Sequence, residues 1–152
     1  MSAEESKDER LNRELIELLN ELRVALPGVQ MLFGFLLAVP FTGKFSNITT
    51  TQRHVYYFTF MSTAAATIFL IAPTSYHRLR FRQHDKEQLI QTATRVTIAG
   101  TACLAAALSG AVYLVSDLLF HTAATAVAAA AAAGLVLWLW YGLPLLRRLQ
   151  DR

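Results

Sequence analysis

Four long apolar stretches, separated by polar segments, dominate the hydrophobic pattern of the chain. They cover residues 24–42, 55–72, 96–116 and 122–146, and each carries at most one charged residue. A hydrocarbon core about 30 Å thick is crossed by about 20 helical residues, so each stretch is near the required length. A buried helix of a soluble protein would be shorter and would show a polar face. The pattern therefore predicts an all-α fold, a four-transmembrane-helix bundle.

A further helical pattern precedes the first apolar stretch. Leucines recur at steps of three and four residues, which places them on one side of a helix, at Leu11, Leu15, Leu18, Leu19, Leu22 and Leu26. The opposite side is acidic, with Glu14, Glu17 and Glu21. Residues 1–23 are therefore predicted to form a cytoplasmic N-terminal segment with an amphipathic helix, ahead of a membrane domain at residues 24–146 and a cytoplasmic tail at 147–152.

A proline marks the junction between this helix and the first span. Proline removes one backbone hydrogen bond and clashes with the preceding turn of a helix, so Pro27 and Gly28 predict a bend. Gln30 follows just inside the span. It is a candidate polar contact to another helix or to the backbone freed at Pro27.

The basic residues are distributed unevenly over this arrangement. Twelve Lys and Arg residues lie in the N-terminal segment, the segment 74–95 and the tail, whereas the segment between the first two spans holds only Lys44 and Arg53. Basic residues are retained on the cytoplasmic side of a membrane. The expected location is therefore the plasma membrane, multi-pass, with the N-terminus and C-terminus in the cytoplasm.

Charge also separates the cytoplasmic segments from one another. Residues 1–23 hold seven acids and four bases, whereas 74–95 holds two acids and five bases. This opposition favours docking of the two segments on each other or on a neighbouring copy. Independent solvation is the alternative, since exposed ion pairs contribute only about 0 to 1 kcal/mol each. The overall net charge of +3 reflects topology and not nucleic-acid binding, because no loop combines basic and aromatic residues over sufficient length.

A basic cluster follows Pro73, at His77, Arg78, Arg80 and Arg82. Guanidinium groups make paired hydrogen bonds to phosphate oxygens, so the cluster is a candidate site for an anion or a lipid headgroup. An ordinary basic anchor at the cytoplasmic end of a span explains the same residues. Both interpretations remain open.

The spans themselves hold few residues that carry chemistry. Asp117 and His121, around the turn between the last two spans, form a possible ion site at the outer mouth, with a plain short loop as the alternative. Substrate pathways usually need more ionisable groups in the interior. The pattern shows no metal-ligand spacing, no phosphate loop and no nucleophile with an evident base. No metal, no cofactor and no catalytic residue is predicted.

Small residues recur at four-residue steps in the last two spans, at Ala102, Ala106, Gly110, Ala126, Ala130 and Gly134. Such spacing lets helix backbones approach closely. The short connection between these spans predicts an antiparallel hairpin in which the two stripes face each other.

Several segments together resemble a known family. They are ELLNELRVALPGVQ at 17–30, FLLAVPF at 35–41, QR at 52–53 and APTSYHR at 72–78. In these segments the chain resembles the small bacterial integral membrane proteins grouped as the DUF6328 family, over about residues 11–120. The resemblance implies a bacterial inner-membrane protein and carries no assigned activity.

The expected function is that of a non-enzymatic membrane protein, a structural or accessory subunit that works through helix packing and its charged cytoplasmic face. The alternative is a small transporter or channel for a small solute or ion. It would be a homo-oligomer, because four short helices leave little room for a pathway within one copy. Expected partners are the lipid bilayer, including anionic lipid, and further copies or other subunits of a larger membrane complex. No nucleic acid is expected.

Overall fold

The computed structural model describes residues 7–43, 45–80, 86–120, 123–143 and 146, and the regular structure in them is helical. The main elements are four helices, α1 (Lys7–Ala38), α2 (Thr50–Arg80), α3 (Lys86–Phe120) and α4 (Ala123–Leu137). Two 3-10 turns, Val39–Phe41 and Phe45–Asn47, lie between α1 and α2, and a π-helical turn, Trp138–Gly142, continues α4. Four helices are long and apolar enough to cross a membrane, which confirms that part of the prediction.

The first helix buries one residue in every seven along its length. Leu15, Leu22, Val29 and Leu36 are all buried. A seven-residue repeat keeps one seam of a helix turned toward its neighbours as the helices wind around each other. Leu22 and Val29 share a core cluster with residues of α2. The leucine-rich segment and the first apolar stretch are therefore a single continuous helix.

This helix continues through Pro27, which lies on its exposed side. Proline costs one backbone hydrogen bond, but the buried seam passes on the opposite side, at Leu22 and Val29. The second helix also continues through a proline, Pro73, which is buried. Membrane helices tolerate such residues because neighbouring helices hold the backbone in place. Neither proline ends its helix.

The most extensive packing among the described helices joins α2 to α3. Thr59, Thr63, Ala66 and Leu70 of α2 are fully buried. The hydroxyl of Thr59 donates to the carbonyl of Val55 at 2.7 Å, and that of Thr63 donates to the carbonyl of Thr59 at 2.8 Å. Because these buried hydroxyls are satisfied within their own helix, they pack against α3 as small, effectively apolar groups.

Two glycines of α3 make this approach possible. A Cβ at Gly100 would lie 2.9 Å from the side chain of Leu70, and a Cβ at Gly110 would collide with the side chain of Thr59. Small residues at helix interfaces allow close backbone contact in this way. The two helices therefore run antiparallel and in tight register.

The fourth helix contacts α3 and, in the described part of the chain, neither α1 nor α2. Its contact includes the buried Thr125, and beyond it the hydroxyl of Tyr141 lies 2.9 Å from that of Thr101. The predicted four-helix arrangement is thus open: α1, α2 and α3 form a three-helix bundle, and α4 lies on the outside of α3.

The prediction that the two small-residue stripes face each other is wrong. Gly110 faces Thr59 of α2, whereas Ala126, Ala130 and Gly134 are exposed. A methyl group at Gly134 would meet no atom within 4 Å. The glycine of α3 serves the contact with α2 and is therefore not available to α4.

Candidate functional site

Interlocking polar contacts occur where α1 ends, α2 begins and α3 ends. We call this the outer end of the bundle, after the orientation that the basic residues predict. Thr49 precedes α2, and its N–H donates to Oε1 of Gln52 at 2.9 Å. In return, the N–H of Gln52 donates to Oγ1 of Thr49 at 3.2 Å. This reciprocal pair is a capping box, which satisfies two backbone donors that a helix start leaves free.

The same glutamine links α2 to α3. Its Nε2 donates to Oδ2 of Asp117 at 2.8 Å, and Gln52 is only 4% exposed. Asp117 is the residue predicted to form an ion site with His121, and His121 lies outside the described residues. The described partner of this carboxylate is therefore an amide of α2.

Gln52 was missed as a site residue by the sequence interpretation. The signal for its cap is present, since Thr49 is followed three residues later by Gln52. The bond to Asp117 joins residues 65 positions apart. No local pattern contains that bond, because it depends on the register between α2 and α3.

Tyr56 fastens α2 to the end of α1. Its hydroxyl donates to the backbone carbonyl of Leu36 at 2.6 Å. Four residues after Leu36 comes Pro40, which has no N–H to donate to that carbonyl. The tyrosine hydroxyl thus replaces a hydrogen bond that the helix backbone lacks.

Aromatic rings reinforce this contact between α1 and α2. The ring of Tyr56 meets that of Phe45 edge-on at 4.9 Å, and Phe33 stacks on Phe60 at 5.2 Å. Such pairs contribute about 0.5–1.5 kcal/mol beyond the area they bury. The outer end is held by rings as well as by hydrogen bonds.

A cavity of about 210 Å³ lies at the outer end, between α1 and α3. Its walls are apolar side chains, such as Leu32 and Leu36 from α1 and Leu114 from α3. Gln52 and Tyr56 of α2 are its polar lining residues, and both use their polar atoms in the bonds described above. The cavity is therefore an apolar space whose polar groups already have partners within the protein.

The predicted anion cluster lies at the opposite end of the bundle. The backbone of His77, Arg78 and Arg80 belongs to the last turns of α2, and Arg82 lies outside the described residues. Because α1 starts at Lys7 and runs antiparallel to α2, the acidic side of α1 is at this same end. The headgroup site itself stays a prediction.

The acids of α1 pair with arginines of their own helix. Nε of Arg10 donates to Oε1 of Glu14 at 3.0 Å, and Nε of Arg13 lies 3.9 Å from Oε1 of Glu17. Both pairs are exposed and four residues apart, so each contributes about 0.3–0.5 kcal/mol. Docking of these acids on the arginines of α2 stays a prediction.

The residues predicted as a kink and polar contact lie together on the exposed side of α1. Pro27, Gly28 and Gln30 are all exposed, and a methyl group at Gly28 would meet no atom within 4 Å. Within the described part of the chain, Gln30 has no hydrogen-bond partner. This surface therefore faces away from α2 and α3.

Among the residues that the structure describes, no three His, Cys, Asp or Glu side chains come together as a possible metal site. The hydroxyls of Thr97 and Thr125 are buried there without a hydrogen-bond partner. Cys103 packs beside the core cluster of α1 and α2.

The chain matches a known protein family. The model of a family of unknown function, DUF6328, matches residues 4–144. This range includes all four helices. No curated protein and no solved structure matches the chain.

Proposed function

Because the chain belongs to the DUF6328 family, whose function is unknown, we propose a function from its geometry. The protein is a non-enzymatic, multi-pass protein of the bacterial inner membrane, with both termini in the cytoplasm. It acts as an accessory or structural subunit. The cytoplasmic ends of its helices bind another protein.

The helix lengths support the existence of such cytoplasmic ends. The first three helices contain 32, 31 and 35 residues, which corresponds to roughly 48, 46 and 52 Å. A hydrocarbon core is about 30 Å thick. If the outer end lies at one boundary of the membrane, each helix extends beyond the other boundary by about 16 to 22 Å. The distribution of basic residues assigns that side to the cytoplasm.

The observation that carries the proposal is the burial of Leu15 near the start of α1. The extension of α1 is not a loose surface helix, because its seam continues from the membrane part through Leu22 to Leu15. On α3, Leu89 and Ala93 are buried at the same end. The three helices therefore stay packed where they leave the membrane and present a rigid surface.

Exposed carboxylates on this surface can form ion pairs with a basic partner. The side chains of Glu14 and Glu17 are 40% and 66% exposed, and each weak pair with an arginine of α1 is easily exchanged for a better contact. The N-terminal segment has a net charge of −3. A partner with a basic surface fits this side of α1, and so does the basic segment 74–95 of a neighbouring copy.

The alternative is a homo-oligomeric transporter or channel, and one observation favours it. Ala126, Ala130 and Gly134 form an exposed stripe on α4, and such spacing lets a helix of another copy approach closely. Native mass spectrometry of the protein and of Gly134→Leu tests this. An oligomer lost in the variant supports the alternative, and a monomer in both cases removes it.

A photo-crosslinking amino acid tests the main proposal in whole cells. Placed at Glu17, it should capture one protein of defined mass. Placed at Phe41, which is 89% exposed at the outer end, it should not capture that protein. Reversal of the neighbouring charges, Glu14→Lys with Glu21→Lys, should weaken the adduct at least fivefold. No protein adduct at Glu17, the same adduct from both positions, or an adduct indifferent to the charge reversal would overturn the proposal.

A further inference from the structure

The apolar cavity at the outer end is not explained by a cytoplasmic docking role. It lies between α1 and α3 over eight residues on each side, from Leu32 to Val39, just past the end of α1, and from Ala111 to Leu118 of α3. That corresponds to about 10 Å along the helix axes. The cavity is thus an elongated groove that runs along the helices, in the part of the molecule assigned to the membrane.

Water is a poor occupant of this groove. Its volume of about 210 Å³ equals that of about seven water molecules in the liquid, but buried water needs two to four polar partners each. The amide of Gln52 is bonded to Thr49 and Asp117, and the hydroxyl of Tyr56 is bonded to Leu36. An occupant without hydrogen-bonding groups matches such a lining.

The groove is accessible from the side that faces lipid. Phe35 from α1 is 68% exposed at its rim, and Val115 and Leu118 from α3 are 58% and 55% exposed. Small-molecule pockets usually measure about 300–1,000 Å³. A groove below that range, elongated and open toward lipid, fits a single hydrocarbon chain.

A basic residue next in sequence to the groove lining indicates which headgroup the acyl chain carries. Arg53 directly follows Gln52 in the first turn of α2 and is exposed. It has no ion-pair partner among the described residues. Together with Lys44, which precedes the lining residue Phe45 and lies outside the described residues, it supplies all the basic charge between the first two spans. A guanidinium at this position complements a phosphate.

We propose that the groove between α1 and α3 binds one acyl chain of an anionic phospholipid of the outer leaflet, whose phosphate lies at Arg53. This inference rests on the membrane placement proposed above but not on the cytoplasmic partner. It assigns the site to an intact membrane lipid, held by its tail as well as by its headgroup.

Native mass spectrometry with phosphatidylglycerol and phosphatidylcholine tests the tail. Ala111→Phe places a ring in the groove and should reduce retention of the most tightly bound lipid at least fivefold. Ala102→Phe is the matched control, since Ala102 is exposed on the same helix and does not line the groove. Equal retention by both variants overturns the proposal. If Ala111→Phe fails to fold, Val115→Phe at the exposed rim replaces it and should reduce lipid retention in the same way.

The position of the headgroup phosphate at Arg53 is tested by the preference between the two lipids. Wild type should retain phosphatidylglycerol in preference to phosphatidylcholine, and Arg53→Gln should abolish that preference. An unchanged preference overturns the assignment of the phosphate to Arg53. Both measurements use purified protein, so they can succeed where crosslinking at Glu17 fails, and the reverse also holds.

Discussion

The hydroxyl of Tyr56 lies 2.6 Å from the backbone carbonyl of Leu36 and donates a hydrogen bond to it across the contact of α1 with α2. Pro40 is the reason that this carbonyl needs an outside donor, because proline has no N–H. A side chain of one helix thus completes the backbone hydrogen bonding of another. The end of α1 is thereby fixed to the start of α2.

Removing this hydroxyl should therefore destabilise the protein. We expect Tyr56→Phe to lower the free energy of unfolding by about 1 kcal/mol, because the Leu36 carbonyl loses its partner in apolar surroundings. In a Pro40→Ala background the loss should be smaller, since alanine supplies the missing N–H. Unfolding of the four proteins in detergent measures both effects. The same loss in both backgrounds would contradict the explanation.

The bond between Gln52 and Asp117 makes a second prediction. Gln52→Glu keeps the cap, because a carboxylate still accepts from the N–H of Thr49, but it replaces the donor facing Asp117 by a second acceptor. Stability should fall by roughly 1–3 kcal/mol. Adding Asp117→Asn restores a donor and should recover most of the loss in thermal unfolding. Unaltered stability of Gln52→Glu would show that the bond contributes nothing.

The glycines of α3 and α4 form a matched pair for testing helix contact. Gly110→Ala should cost about 1–3 kcal/mol, because its Cβ collides with Thr59. Gly134→Ala has open space and should be neutral or stabilising by up to about 1 kcal/mol, since alanine is the better helix former. Thr59→Ala should relieve the cost at Gly110. Similar costs at both glycines would argue against the register of α2 on α3.

The proposed orientation is tested by reporter fusions. A reporter inserted at Asn47, between α1 and α2, should lie outside the cytoplasm, whereas one fused after Arg152 should lie in the cytoplasm. The reason is that the segments predicted to be cytoplasmic hold twelve basic residues, whereas the segment between the first two spans holds only two. Signals from the same compartment at both positions would rule out this topology.

The basic cluster at the end of α2 has a substitution that preserves charge. If His77, Arg78, Arg80 and Arg82 bind an anionic headgroup, Arg78→Lys should reduce retained anionic lipid several-fold, because an ammonium cannot make bidentate contacts. Arg95→Lys, at the same end of α3, is the control and should have no effect. Lipid retention that is identical in native mass spectra of all three proteins would favour an ordinary basic anchor.

The number of long helices could be predicted from the sequence because hydropathy over about 20 residues is a strong local signal. Which side of each helix contacts a neighbouring helix could not be predicted. Gly110 and Gly134 look alike in sequence, yet one contacts Thr59 and the other has open space. Along a span both the lipid-facing and the helix-facing sides are apolar, so polarity does not distinguish them.

In the site too, features set by neighbouring residues could be predicted from the sequence, whereas contacts between distant residues could not. Asp117 stood out because a carboxylate near a span is rare, and the cap of Gln52 follows from four consecutive residues. Their bond, like that of Tyr56 to Leu36, requires the packed helices. Pro27 predicted a bend from local chemistry, whereas the continuity of α1 through this proline, with Leu22 and Val29 buried on either side of it, involves packing against α2.

The attachment of α4 to α3 alone has a consequence for biogenesis. Chains are made from the N-terminus, and early segments assemble first. When α4 leaves the ribosome, the contacts among α1, α2 and α3 can already be complete, because in the described part of the chain α4 contacts only α3 of these three helices. The core can therefore close before α4 is inserted, and an error in placing α4 leaves the outer groove and the cytoplasmic extension intact.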